Sequence, residues 1–120
     1  MTEIQKSKKF DLEDRTREYA KAVRVFVKDL SRNLLNQSDL NQLLRSSGSV
    51  GANYIEANEA LSKKDFVHRI KICRKEAKES CYWLNLLEIT ANQNEPGRNN
   101  LIKESMELTK IFSAIVTKSS

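Results

Sequence analysis

Asp65-Phe66-Val67-His68 places a carboxylate and a histidine three residues apart. On a helix that spacing puts both side chains on one face, and it is the half-motif from which di-iron helical bundles build a metal site. Such a site takes two of these motifs and two further carboxylates facing the core. His68 is the one histidine of the chain, and its phase turns it away from the apolar stripe of Phe66, Ile70 and Cys73, so a di-iron centre does not fit. One histidine and two cysteines, Cys73 and Cys81, also fall short of a four-ligand structural zinc site. The cysteines lie eight apart on one predicted helix, roughly 12 Å along its axis, which is too far for a disulfide. They read as buried free thiols. Gly48-Ser49-Val50-Gly51 is not the nucleophile elbow of hydrolases, and it lacks the Gly-Lys-Ser/Thr ending of a phosphate-binding loop. Glu56 and Glu59 have no visible partner acid. No catalytic constellation emerges, so the expectation is a protein that is not an enzyme and that needs no metal or cofactor.

The chemistry that remains is electrostatic. The chain has 21 Lys and Arg against 16 Asp and Glu, a net charge of +5. Arg17, Lys21, Arg24, Lys28 and Arg32 follow one another at three- and four-residue steps, so they line one helix face. Lys71, Arg74, Lys75 and Lys78 form a second basic group. Residues 62–79 hold seven basic residues against three acids, which is most of the net charge. Charge segregated in this way attracts polyanions and supports phosphate contacts to RNA or DNA without base readout. A solvated helix face is the competing reading of any such stripe.

Four amphipathic helices must carry these faces. Helices are expected over about 12–33, 39–60, 63–91 and 99–118, behind a flexible basic arm at 1–10, and together they make one all-α domain at 11–118. The inward stripes are Leu12, Tyr19, Val23, Phe26, Val27, Leu30 and Leu34; then Leu40, Leu43, Leu44, Ser47, Val50, Gly51, Tyr54 and Ile55; then Phe66, Ile70, Cys73, Ala77, Ser80 or Cys81, Leu84, Leu87 and Ala91; then Leu101, Ser105, Leu108, Phe112 and Ile115. Asp11 and Ser62 are the expected N-caps, Ser62 with a Leu61–Phe66 hydrophobic staple, and Ser38 caps the second helix after a break at Asn36-Gln37-Ser38. Short connections between such helices give an antiparallel up-down-up-down four-helix bundle. No apolar run reaches membrane-span length, and Met1–Lys9 lacks the apolar centre of a signal peptide, so a cytoplasmic location with no membrane partner is expected.

Two further features stand out, a small-residue segment inside the second helix and an apolar flank that a lone bundle has no place to bury. Ser47, Gly48, Gly51 and Ala52 put small residues where each helical glycine costs about 1 kcal/mol against alanine, which predicts close approach of a neighbouring helix. Ile72, Trp83 and Leu86, with Glu76, Glu79 and Tyr82 beside them, form a flank of the third helix that the core does not use. A tryptophan-centred flank of this kind suggests an oligomer interface.

Arg45 to Ala57, followed by Ser62-Lys63-Lys64-Asp65-Phe66, Lys75-Glu76 and Tyr82-Trp83-Leu84, resembles the bacterial four-helix bundle family named for proteins encoded in intervening sequences of 23S ribosomal RNA genes. The resemblance runs from about Phe10 to Ile115. Many members read Pro-Ala-Asn-Ile-Ala-Glu-Gly where this chain has Gly51-Ala52-Asn53-Tyr54-Ile55-Glu56-Ala57. Gly51 and Ala57 depart from that pattern, while Asn53 and Glu56 keep it without an established chemical role. The chain is also similar to the accessory variability determinant of diversity-generating retroelements. These resemblances imply a homo-oligomer, a pentameric ring, with a basic surface that binds nucleic acid. The rival they leave open is a scaffold or accessory subunit for a protein partner such as a reverse transcriptase.

Overall fold

The computed structural model describes residues 11–30 and 34–119, and the expected arm at 1–10 and the Arg32 position lie outside them. The helices are α1 (Leu12–Asp29), α2 (Leu34–Asn58), α3 (Lys63–Leu86) and α4 (Glu95–Ser119), with a single 3-10 turn, Asn92–Asn94, before α4. Successive helices pack side by side, and α4 returns to α1. Cross-helix pairs run in opposite chain directions: Thr16 meets Gly51 while Arg24 reaches back to Leu44, Ser46 meets Ser80 while Asn53 meets Arg69, and Arg15 meets Glu104 while Phe26 meets Gly97. The fold is an all-α, antiparallel four-helix bundle.

Periodicity places the core well. Tyr19, Val23, Val27, Leu40, Leu43, Val50, Ile70, Cys73, Ala77, Leu84, Leu108 and Phe112 are buried together. Asp11 caps α1 by accepting a hydrogen bond from the Glu13 amide at 2.9 Å, and Ser62 caps α3 by accepting from the Asp65 amide at 3.0 Å. The staple beside Ser62 is not made, because Leu61 is 97% exposed. Ile55 also turns out to be exposed.

The helix ends differ from the pattern for identifiable reasons. Leu30 leaves the helix for an extended conformation and is buried there, so α1 stops at Asp29. Asn36, Gln37 and Ser38 are inside α2 rather than before it. The buried Asn36 side chain donates to the Glu88 carbonyl at 3.0 Å and accepts from the Glu88 amide at 3.1 Å. That paired contact, with Arg98 donating to the Leu87 carbonyl at 3.1 Å, supplies the backbone partners of an extended segment after α3. Leu87 is buried and non-helical, and α3 ends at Leu86 rather than near Ala91. Pro96 and Gly97 fall in the first turn of α4, where proline costs no hydrogen bond.

One layer of the core is polar and draws a residue from every helix. The Tyr19 hydroxyl lies 2.6 Å from Ser105 Oγ, and Ser46 Oγ lies 2.9 Å from Ser80 Oγ. Ser80 and Ser105 also donate to the carbonyls of Glu76 and Leu101 in their own helices, both at 2.9 Å. Burial raises the Tyr19 pKa, against the opposite pull of its bonds to Ser105 and Ser80. A fully satisfied layer of this kind fixes helix register, since sliding one helix by a turn would strand a hydroxyl.

Burial also governs the thiols. It pushes Cys73 up to about 12, and it raises half-buried Cys81 against a hydrogen bond from Asn85. A pKa raised on folding stabilises the fold fully below the unfolded thiol's value, and that contribution is lost as pH climbs toward 12. Under native conditions at mildly alkaline pH, an alkylating reagent should therefore label Cys81 well before Cys73. Peptide mass spectrometry showing equal labelling of both thiols in the folded protein contradicts this burial.

Candidate nucleic-acid interface

The bundle separates the two basic groups. α1 and α3 both pack on α2 and α4, so they occupy opposite corners and their outer faces point away from each other. A polyanion lying flat on one chain reaches one face only.

On α1 the stripe is partly neutralised. Arg17 pairs with Asp14, and Lys21 lies 4.0 Å from Glu18. Arg24 folds back onto the bundle, donating to the Ala20 carbonyl at 3.0 Å and to Leu44 of α2 at 3.5 Å. Its guanidinium covers Gly48. Exposed pairs of this type are worth little and exchange readily for phosphate, but they weaken the case for this face. Lys28 is exposed.

On α3 the cations are freer. Among the described residues, Lys71, Arg74 and Lys78 make no ion pair, and Lys75 stands 3.7 Å from Glu76. Beside Lys78 a shallow cleft opens between α3 and α4, lined by Cys81, Met106, Thr109 and Lys110. Lys110 thus adds a cation from α4 that the sequence pattern did not single out, since its own helix reads it only as a surface residue next to Glu107, 3.9 Å away.

The tryptophan flank is largely occupied within the chain. Glu76 is buried, 6% exposed, and holds Arg45 of α2 at 3.3 Å. Arg45 also pairs with Glu79, and the Trp83 indole donates to Glu79 at 3.0 Å. Burial would raise the Glu79 pKa, but the hydrogen bonds from Trp83 and Arg45 outweigh it and hold the carboxyl below its ordinary value. Ile72 is half-buried, whereas Leu86 and Tyr82 face solvent. Tyr82 sits edge-on against Trp83, with ring centres 5.0 Å apart.

The small-residue segment is a helix contact. A Cβ built on Gly51 would stand 2.9 Å from Thr16 Oγ1, so α1 crosses α2 there. Ser47 is fully buried; Gly48 and exposed Ala52 line a groove along the same crossing with Ile55 and Ala20. Asn53 joins α2 to α3 by accepting from Arg69 at 2.9 Å while donating to the Ser49 carbonyl. Glu56, Glu59, Asp65 and His68 line a surface depression at the α2–α3 turn. Among the described residues no group of three or more His, Cys, Asp or Glu could hold a metal ion, and no helix is long and apolar enough to cross a membrane.

The sequence pattern of the 23S rRNA-intervening sequence proteins matches residues 8–114. The chain belongs to that family. A crystal structure of a protein of unknown function from the S23 ribosomal protein family of Bacteroides thetaiotaomicron superposes on this 23S rRNA-intervening sequence protein with a TM-score of 0.72. The two share 31% identity over 87% of this chain and 96% of the other. No curated protein gives a significant match.

Proposed function

We propose that this 23S rRNA-intervening sequence protein is a non-enzymatic, oligomeric bundle that binds nucleic acid through phosphate contacts. The observation that carries the reading is the set of cations on α3, exposed Lys71 and Lys78 and half-buried Arg74, which have no carboxylate partner among the described residues. Lys75 on the same helix and Lys110 across the cleft extend it. The α1 face, with Arg17, Lys21, Arg24 and Lys28, is a second and weaker contact surface. Self-association through Ile72 and Leu86 would place copies of the α3 face side by side, and avidity would raise a weak single-chain affinity. Light scattering that finds only monomer removes the avidity from this proposal.

Binding is measured by filter retention or fluorescence anisotropy across a salt series. Affinity should fall steeply with salt, because each neutralised phosphate releases counterions. Charge reversal of Lys71 and Lys78 together should weaken binding about tenfold or more and reduce the log–log salt slope by roughly two, one per lost phosphate contact. Undetectable binding at low salt, or an affinity indifferent to salt, refutes the reading.

A further inference from the structure

Lys71, Lys75, Lys78 and Tyr82 fall at steps of four, three and four residues and form one continuous exposed row on α3. The row spans about 16 Å at ~1.5 Å per residue. Tyr82 closes it, 56% exposed. Tyrosine offers a broad ring face for stacking together with a polar hydroxyl that tolerates water. Its ring is steadied from beneath: it meets the Trp83 ring at 70°, the Trp83 indole donates to Glu79, and Glu79 is tied to Arg45 of α2. An aromatic platform held in place at the end of a lysine row is the arrangement that tracks an unpaired strand, with cations on the phosphates and a base stacked on the ring.

We infer that the α3 row is a single-strand site, in which Lys71, Lys75 and Lys78 hold successive phosphates and Tyr82 stacks an unpaired base. This deepens the proposed function and rests on it. Duplex offers the lysines its phosphates but no free base face to Tyr82, because its bases are already stacked on one another. A second copy of the chain is a poorer occupant. A two-fold contact centred on the row would bring Lys75 of each copy against Lys78 of the other, and like charges at such a contact repel.

Fluorescence anisotropy with labelled single strands of about 12 nucleotides, within the site sizes of such grooves, tests the assignment. RNA and DNA strands form separate arms, beside a duplex of the same sequence. Tyr82→Ala should weaken single-strand binding about tenfold and leave duplex binding within about twofold, while Tyr82→Phe should bind as wild type. Lys78→Glu should weaken both. If Tyr82→Ala binds single strands as well as wild type, the stacking assignment is overturned while phosphate binding stands. If wild type binds neither form, the proposed function falls with it. A shift of oligomeric state in Tyr82→Ala, seen by light scattering, would give the residue to a subunit contact instead and also overturn the assignment.

Discussion

Gly51→Leu should destabilise the bundle by about 1–3 kcal/mol or more. The Cβ alone would stand 2.9 Å from Thr16 Oγ1 and 3.2 Å from Thr16 Cβ. Thr16 has little freedom to yield. It is buried and β-branched, and its hydroxyl donates to the Leu12 carbonyl at 2.7 Å. Three further leucine carbons would have to enter the same crossing. Gly48 supplies the control one turn away. Its Cβ would meet only the Arg24 guanidinium, at 3.3 Å, and that group is the tip of an exposed, flexible side chain. Gly48→Ala should therefore gain up to about 1 kcal/mol of helix propensity. Urea denaturation of both variants decides the matter, and a Gly51→Leu bundle as stable as wild type would show that α1 and α2 are not packed closely there. Thr16→Ala should recover part of the loss in Gly51→Ala, which a double-mutant cycle would register as coupling between the two sites.

The small residues of α2 were legible in the sequence as a close approach, but the partner was not. Helical periodicity says which side of a helix faces inward, and it held for Tyr19, Val23, Leu40, Val50, Ile70 and Phe112. It carries no information about which neighbour a given turn meets. Thr16 therefore went unnoticed, a polar residue whose burial depends on bonding its own helix and resting on Gly51. Ser46 was missed for the same reason. Its 0% exposure reflects Ser80 on the facing helix, a pairing set by tertiary register. Leu61 shows the reverse error, since a local cap motif was present and the apolar contact that often accompanies it was not made.

Charge was legible as composition but not as geometry. The two basic groups count alike in the sequence, and only packing shows that they face opposite ways. Only side-chain positions show that Asp14, Glu18 and the carbonyls of Ala20 and Leu44 engage the α1 stripe while Lys71, Arg74 and Lys78 make no ion pair among the described residues. The acids of α3 go the other way. Glu76 and Glu79 are drawn to Arg45 across the α2–α3 seam, which leaves the far side of α3 positively charged. A helix whose excess of cations is plain by residue count thus has its acids drawn to one seam, so the excess is concentrated on its outer face.

Asn36→Asp should cost about 2–4 kcal/mol near neutral pH, the sum of one lost amide bond and a buried carboxylate set against a carbonyl. The substitution changes almost no volume. It keeps the oxygen that accepts from the Glu88 amide at 3.1 Å, and it replaces the donor that reaches the Glu88 carbonyl at 3.0 Å with a second oxygen. Protonation restores a donor. A carboxyl buried at this position has its pKa raised relative to the unfolded chain, so its penalty shrinks as pH falls. The stability gap from wild type should accordingly narrow between neutral and mildly acid pH. Asn36→Leu separates the alternatives. It removes both bonds, leaves both Glu88 backbone groups without this partner, and should show a gap that does not vary with pH. Denaturation midpoints for the two variants across pH supply the test. A gap for Asn36→Asp that stays constant, or a loss below about 0.5 kcal/mol in both variants, would mean that the segment after Leu86 is held by the burial of Leu87 and Ile89 rather than by this side chain. A substantial, pH-sensitive loss would instead identify Asn36, in the stretch that reads locally as a helix break, as the residue that ends α3 by capturing the chain beyond it.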